Sequence, residues 1–191
     1  MKPVTVIEGP VAALDRANVD TDQIVPKQFL KRIERSGFGE FLFWDWFREP
    51  GFPLNRIEFH GAPILAAGRN FGSGSSREHA AWALQDYGYE AVVAPSFSDI
   101  FRSNCTKIGL LPVELEEAEV ASIAEAGECQ VDLAAQEVRW PGGSARFDID
   151  PEIKERLLNG LDDIALTLEQ GDRIDAYEAE RERSGPVTTA L

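Results

Sequence analysis

The chain has 191 residues, of which 43% are apolar and 27% charged, a composition typical of a globular protein with a buried core. Its 33 acidic and 19 basic residues give a formal net charge of -14, which argues against nucleic acid or an anionic membrane surface as a partner. The apolar runs are far shorter than the roughly 18 residues of a membrane span, so integral-membrane function is excluded. Two cysteines are too few for a disulfide framework, and the N-terminal residues lack a signal-peptide layout, so we expect a cytoplasmic location.

The N-terminal part of the chain predicts short elements separated by loops. A strand is expected over residues 4–7, a polar loop over 18–22 and, after Pro26, a short helix over 27–33. Glycines end this helix before an aromatic segment at 41–47. We expect its large rings to pack either in the core or against a partner.

The middle of the chain predicts a β-loop-α-β unit with a right-handed crossover. An apolar run at 63–67 is followed by a loop rich in glycine and serine at 68–76 and by a helical pattern over 77–87. Gly88 is a suitable helix terminator, and the apolar run at 91–94 indicates a second buried strand.

The C-terminal half predicts further helices and a β-hairpin. Ser98 is placed to cap a helix over residues 99–107. The remaining predictions are an acidic helix at 116–125, strands at 130–140 and 145–149 around a turn at 141–144, a helix at 153–158, and a polar tail from about 181. Because no internal repeat or long linker divides the chain, residues 1–191 are predicted to form one mixed α/β domain.

The run Gly72-Ser73-Gly74-Ser75-Ser76-Arg77 is the strongest candidate for a functional site. Small residues let a ligand approach the backbone, and the following helix presents unpaired N–H groups and the positive end of its dipole. Two hydroxyls and the guanidinium fork of Arg77 could therefore bind a carboxylate. The run lacks the lysine of a P-loop, the third glycine of a dinucleotide fingerprint and the spacing of a nucleophile elbow. A structural alternative, in which Ser75 or Ser76 only caps the helix, stays open.

Two other clusters carry weaker indications of chemistry. The run at 18–22 begins like a calcium loop, but Gln23 and Phe29 stand where Gly and Glu are required, so calcium binding is rejected. A polar loop or a lining of the site remains. A locally positive patch is either a solvated helix face or a receiver for an anionic substrate. That patch consists of Lys27, Lys31, Arg32 and Arg35.

No metal site is predicted in this chain. The two cysteines and the two histidines form no recognised set of metal ligands. His79, within the predicted helix, is interpreted as structural rather than as a base, and His60 has no partner that marks it as catalytic. If the chain removes a hydroxyl from a carboxylic acid, the Lewis acid that polarises the leaving oxygen must come from a partner.

Four segments together resemble a known family. Residues 70–80, with the sequence NFGSGSSREHA, are similar to the signature of the swivelling domain of the aconitase superfamily. Residues 18–30, 94–101 and 159–164 look like the corresponding parts of the bacterial small subunits of 3-isopropylmalate dehydratases. The match extends in order along nearly the whole chain.

This resemblance implies a swivelling β/β/α domain that closes over a large subunit holding a 4Fe-4S cluster, with no cofactor in this chain. The implied heterodimer is a hydro-lyase of leucine biosynthesis that interconverts 2-isopropylmalate and 3-isopropylmalate through 2-isopropylmaleate. The implied roles are Ser75 as the general base, and Ser76 and Arg77 as ligands of a substrate carboxylate. The loop around Lys31 and Arg32 is implied, by region only, to select the substrate.

Two alternatives remain beside this interpretation. The first is the small subunit of a sibling hydro-lyase that acts on another hydroxy diacid, such as citraconate, 2-methylmalate or homoaconitate. The second is a non-catalytic carboxylate-binding module that uses the Ser-Ser-Arg run for recognition alone. Comparing reaction rates on these acids distinguishes a sibling hydro-lyase from a 3-isopropylmalate dehydratase. Binding of diacids by the chain alone would indicate the non-catalytic module.

Overall fold

Seven strands form one mixed sheet in the computed structural model, which describes residues 1–185 apart from the side chains of Glu182 and Ser184. The strands are β1 Val6–Leu14, β2 Ile64–Ala67, β3 Ala91–Ala94, β4 Leu111–Glu114, β5 Glu128–Asp132, β6 Glu137–Trp140 and β7 Gly143–Arg146. The helices are α1 Thr21–Ile24, α2 Glu78–Tyr87, α3 Asp99–Ile108, α4 Glu117–Ala126, α5 Pro151–Asn159, α6 Asp163–Leu168 and α7 Gly171–Ser184. The strand order is β4-β3-β2-β1-β5-β6-β7, which confirms the predicted α/β fold with a mixed sheet.

The first four strands are parallel, and their order places the predicted loops at one edge. Ile64 in β2 lies beside Val11 in β1 and beside Ala91 in β3, and Ala91 lies beside Leu111 in β4. The C-terminal ends of β1, β2 and β3 therefore meet at the same edge of the sheet. In open α/β sheets this edge is where ligands bind.

Alternate side chains of the parallel strands enter two separate cores. In β2, Leu65 and Ala67 belong to the core under α2 and α3, whereas Ile64 and Ala66 belong to the core under α4. Because both faces are covered, these strands read as continuous apolar runs rather than as alternating ones. The aromatic segment at 41–47 contributes to the first core, as one of the two predicted options, through the buried residues Phe41, Leu42 and Phe43.

Several helix ends lie where the capping residues predict. Gly88 ends α2 with a φ of 119°, a left-handed conformation that glycine adopts without steric cost. The Ser98 side chain accepts a hydrogen bond from the Phe101 amide and so caps α3. Helices α4 and α5 also coincide with predicted helices to within a few residues.

The prediction for residues 130–140 was wrong. One strand was expected, but the chain forms β5 and β6, and Val131 lies opposite Val138. The turn between them contains Gln136 at a φ of 53° and has no glycine or proline to indicate it. The strand predicted at 145–149 is β7, which ends at Arg146 because its partner strand begins opposite, at Glu137.

The first elements also differ from the prediction. Strand β1 continues to Leu14 instead of ending at residue 7, because Gly9 and Pro10 both pair with β5 despite their usual role as breakers. The polar loop predicted at 18–22 leads into α1, which begins within it at Thr21, and the helix predicted over 27–33 is a 3₁₀ turn that ends at Lys31.

The last two helices lie on the surface. Ile164, Leu168 and Tyr177 are exposed there. The polar tail predicted from about residue 181 overlaps the end of α7, and its remainder, residues 186–191, lies outside the described residues. Within the described part of the chain, no helix is both long and apolar enough to cross a membrane.

Candidate functional site

Three loops come together at the C-terminal edge of the parallel strands, after β1, β2 and β3. The middle loop, residues 70–77, is called the serine loop below. Its Phe71 amide donates to the carbonyl of Ser96, and its Gly72 amide donates to the carbonyl of Val19, at 3.0 and 2.8 Å. The Asn70 amide group also donates to Asn18 Oδ1 at 2.9 Å. The serine loop is therefore fixed from both sides by the neighbouring loops.

Gly72 is required by its surroundings. Its φ is 73°, and a Cβ built at this position would lie 2.1 Å from a ring carbon of Phe101. The Ser98 hydroxyl, which also caps α3, donates to the Gly72 carbonyl at 2.6 Å. The glycine that the sequence singled out thus serves a close approach between the serine loop and α3.

Thr21 ties the serine loop to α1. Its backbone amide donates to the Ser73 carbonyl at 2.9 Å, and its buried hydroxyl donates to the Ser75 carbonyl at 3.0 Å. Residue Asp20, which precedes it, caps α1 and exchanges hydrogen bonds with Gln23. Thr21, in the capped first turn of α1, therefore positions the backbone of the residue proposed as the general base.

The hydroxyls of Ser75 and Ser76 are available to a ligand. Both residues are exposed, and among residues 1–185 no hydrogen bond involves either hydroxyl. Helix α2 has Arg77 at its N-cap position and no side-chain cap. The alternative in which Ser75 or Ser76 merely caps the helix is therefore wrong. The first backbone N–H groups of α2 therefore have no side-chain cap and lie near the two serines in sequence.

Arg77 forms a two-point ion pair with Asp22. Its Nη1 donates to Oδ1 at 2.5 Å and its Nη2 donates to Oδ2 at 3.2 Å. The Arg77 side chain is 16% exposed, whereas that of Asp22 is 51% exposed. The hydrogen bonds from Arg77 are the main reason that the pKa of the Asp22 carboxyl lies below its ordinary value, with Lys27 contributing in the same direction. Asp22 is therefore an anion at neutral pH.

The basic segment, residues 31–35, approaches the middle of α2 through Arg35. The guanidinium carbons of Arg32 and Arg35 lie 5.9 Å from the ring of Phe38 and 5.8 Å from that of Trp82. Arg32 also pairs with Glu34 and Glu40, at 3.6 and 2.9 Å. The hydrogen bond that Arg32 donates to Glu40 is the largest cause that raises the pKa of Arg32 above its ordinary value, and Glu34 acts in the same direction.

Lys31 is exposed, and its ammonium group has no hydrogen bond or ion pair within the described chain. Phe38 connects the basic segment to the serine-loop end of α2, because its ring lies 5.0 Å from the ring of His79. Fold and aromatic contacts thus bring the two predicted groups to neighbouring positions, although in this structure both Arg32 and Arg77 are paired with carboxylates of the chain itself.

His79 lies among aromatic rings, which agrees with a structural role. Its ring is 5.0 Å from that of Phe38 and 4.8 Å from that of Trp82. Burial is the largest influence on this imidazole and lowers its pKa below the ordinary value of 6.5. His60 is exposed at the end of a 3₁₀ turn and away from these contacts.

Sequence reasoning missed two residues of this site. Thr21 and Asp22 were included only as part of a polar loop, whereas they hold Ser75 and Arg77. The Asp-x-x-Gln spacing of Asp20 and Gln23 is a capping-box signal that would have predicted α1. No spacing rule predicts that α1 then faces a loop more than fifty residues later in the chain.

Comparison with known proteins identifies relatives over the full length. Residues 1–118 match the family model described as the aconitase C-terminal domain, and residues 163–187 match the model for the C-terminal domain of the 3-isopropylmalate dehydratase small subunit. The 3-isopropylmalate dehydratase small subunit of Rubrobacter xylanophilus is 52% identical over 97% of this chain and 98% of its own. The small subunit of Rhodopirellula baltica is 55% identical over 95% of this chain and 100% of its own.

A solved structure has the same architecture. The crystal structure of 3-isopropylmalate dehydratase from Methanocaldococcus jannaschii is 25% identical, with a TM-score of 0.69, and the match covers 91% of this chain and 99% of that one. The expectation of an aconitase-type swivelling-domain fold is confirmed by these matches together with the mixed sheet. The chain therefore belongs to the family of 3-isopropylmalate dehydratase small subunits, within the aconitase superfamily.

Proposed function

We propose that this chain is the small subunit of a cytoplasmic 3-isopropylmalate dehydratase, a hydro-lyase that interconverts 2-isopropylmalate and 3-isopropylmalate through 2-isopropylmaleate. The support is full-length similarity to small subunits, together with a serine loop that exposes two hydroxyls beside an arginine. The single observation that carries the assignment of the site is the hydrogen bond from the Thr21 hydroxyl to the Ser75 carbonyl. This bond holds the Ser75 backbone and leaves the Ser75 hydroxyl unpaired among the described residues. Residues 1–191 act in this proposal as one domain that closes over the large subunit.

Ser75 is the proposed general base, and its environment must compensate for a weakly acidic hydroxyl. The alkoxide form needs fixed positive charge nearby and little water. Arg77 supplies a guanidinium two residues away, whose charge is partly offset by Asp22, and the first amides of α2 add the positive end of a helix dipole. Closure against the large subunit would exclude water and strengthen both effects. The serine can then take the proton from the substrate carbon and return it in the reverse direction.

Ser76 and Arg77 are the proposed ligands of a substrate carboxylate, since a guanidinium binds a carboxylate through two parallel hydrogen bonds. Lys31 and Arg32 are proposed to contact the substrate at the side of the basic segment. Arg32 would exchange one of its two carboxylate partners, Glu34 or Glu40, for the substrate. Both partners are exposed, so this exchange costs little free energy.

The described residues of this chain do not fit an iron-sulfur cluster. Cys105 lies in the core under α2 and α3, and Cys129 lies in the core on the opposite face of the sheet. Burial raises the pKa of the Cys129 thiol to about 12 and raises that of Cys105 as well. Residues 1–185 contain no cluster of three or more potential metal ligands. In this proposal the cluster belongs to the large subunit, which is the partner that the term small subunit implies.

The test is an anaerobic assay of 2-isopropylmalate conversion with this chain alone and with its large subunit. We expect turnover only in the assembled enzyme, and turnover by the isolated chain would refute a site shared between subunits.

Ser75→Ala should lower kcat by at least about a hundredfold, the scale of a lost general base, with little change in stability. Ser103→Ala, an exposed serine on α3, is the matched control and should leave kcat unchanged. Near-normal turnover by Ser75→Ala would remove Ser75 from the mechanism.

The substrate is tested by comparing kcat/KM of the assembled enzyme on 3-isopropylmalate with its values on 2-methylmalate and homoaconitate. We expect the highest value for the isopropyl acid, because the curated relatives are small subunits of 3-isopropylmalate dehydratases at 52% and 55% identity. A higher value for either other acid would assign the chain to a sibling hydro-lyase.

A further inference from the structure

Asp22 uses only some of the hydrogen-bond donors of the Arg77 guanidinium. A guanidinium carries five N–H donors arranged on two edges that can each bind a carboxylate. Asp22 accepts one hydrogen bond from Nη1 and one from Nη2, and so it occupies the end of the fork. The edge formed by Nε and the second hydrogen of Nη2 has no partner among residues 1–185. Nε is also not one of the fully buried nitrogen atoms that lack a hydrogen-bond partner, so a ligand can approach it. Arg77 therefore retains one complete two-point binding edge.

We propose that Asp22 is a positioning residue that holds Arg77 by one edge while the other edge binds the substrate carboxylate. The inference rests on the proposed function and assigns a role to a residue outside the Ser75 to Arg77 run. It requires that Asp22 remain bound to Arg77 during turnover. The opposite arrangement, in which Asp22 occupies the place of the substrate and must leave, makes contrary predictions for KM.

The surroundings of Asp22 favour a positioning role over a purely structural one. Its side chain is 51% exposed, and an exposed ion pair contributes only about 0–1 kcal/mol to folding. The pair is nevertheless held from both ends. Asp22 lies on α1 directly after Thr21, which is bonded to the serine loop, and Arg77 begins α2. An arginine side chain loses much rotamer entropy on binding, and fixing it beforehand reduces that loss when the substrate arrives.

The charge of the pair is compatible with binding an anion. Asp22 alone would repel a substrate carboxylate, but Arg77 neutralises it, and Lys27 interacts favourably with it as well. The amides at the start of α2 lie next to Arg77, which occupies the N-cap position. These groups favour an anion at the unpaired edge of Arg77, whereas Glu78 in the first turn of α2 and the net charge of -14 oppose it.

The experiment uses the assembled enzyme and four variants. Asp22→Asn keeps the shape of the side chain but loses its charge and one acceptor, and we expect KM for 3-isopropylmalate to rise about tenfold while kcat changes by less than about threefold. Asp22→Glu retains a carboxylate and should give an intermediate KM. Arg77→Lys should raise KM at least as much as Asp22→Asn. In the double variant Asp22→Asn with Arg77→Lys, KM should equal that of Arg77→Lys alone, because Asp22 acts only through Arg77.

Asp163→Asn is the matched control. Its partner Arg156 donates to it at the same 2.5 Å, in a pair on α5 and α6 with similar exposure. We expect an unchanged KM for this variant. Thermal unfolding of each chain, measured in parallel, separates loss of fold from loss of binding.

The outcomes distinguish the two proposals. If Arg77→Lys raises KM but Asp22→Asn leaves it unchanged or lowers it, the carboxylate site stands and the positioning role is wrong. If the two effects on KM multiply in the double variant, Asp22 does not act through Arg77 and the positioning role is also wrong. If Arg77→Lys leaves KM unchanged, the carboxylate site itself fails, and the inference fails with it.

Discussion

The serine loop and the basic segment both carry residues proposed to bind substrate, but the structure holds them in different ways. The backbone of the serine loop is hydrogen-bonded to the loops on either side, and Gly72 lies against Phe101. The basic segment is attached through ring contacts and ion pairs of exposed side chains, and its Ile33 is 94% exposed. The first arrangement fixes atoms in advance, as proton transfer requires. The second leaves side chains free to rearrange around a substrate.

The largest effect should come from breaking the close approach in the serine loop. Gly72→Ala would place a methyl group against the ring of Phe101 at a positive φ, so we expect the free energy of unfolding to fall by about 3 kcal/mol. Denaturant unfolding of the chain measures it. Gly51→Ala is the control, since a Cβ there would meet no atom within 4 Å. Equal midpoints for the two variants would show that the loop is not held as tightly as described.

A smaller loss is expected from the tether at Thr21. Thr21→Val keeps the volume but removes the hydrogen bond to the Ser75 carbonyl, so the free energy of unfolding should fall by about 1–2 kcal/mol. Thr106→Val removes a hydroxyl bond of the same 3.0 Å length on the surface of α3 and should cost less than about 0.5 kcal/mol. In the assembled enzyme only Thr21→Val should lower kcat. Equal losses of unfolding free energy in the two variants, measured by urea unfolding, would contradict a special role for the Thr21 hydrogen bond.

The basic segment should respond in binding and not in stability. Arg32→Gln loses exposed ion pairs, so the free energy of unfolding should change by less than about 1 kcal/mol. KM for 3-isopropylmalate should nevertheless rise several-fold, by roughly 1 kcal/mol of binding. Arg56→Gln provides the control, because Arg56 likewise pairs with a nearby glutamate and lies 5.1 Å from a phenylalanine ring. An unchanged KM in Arg32→Gln would exclude Arg32 from the substrate site.

The smallest effect should be a change in the pH dependence of stability at His79, which lies between the two regions. Because burial lowers its folded-state pKa below 6.5, the unfolded chain binds the proton more readily. The contribution of the neutral ring is complete above pH 6.5 and is lost as the pH falls from 6.5 towards the lowered pKa. His79→Gln should therefore reduce the slope of unfolding free energy between pH 5 and 6.5, and leave it unchanged above pH 7.5. An identical slope in both chains below pH 6.5 would contradict this account.

The sequence predicted those parts of the fold that depend on local chemistry. Ser98 and Gly88 were identified as helix ends because a side-chain oxygen and a missing Cβ act on the nearest backbone groups. The split of residues 130–140 into β5 and β6 was not predicted, because Gln136 adopts a positive φ without a glycine to signal it. The continuation of β1 through Pro10 was also missed, since the pairing of Pro10 with Glu128 in β5 is a long-range contact.

Residue identity and spacing along the chain predicted the α/β class and the run from Ser75 to Arg77, and four segments of the sequence resemble the family that the comparisons identify. Tertiary structure alone decided that Thr21 holds Ser75 and that Asp22 binds one edge of Arg77. The physical reason is that these contacts join residues more than fifty positions apart, and parallel pairing of β1 with β2 is what brings their loops to the same edge of the sheet.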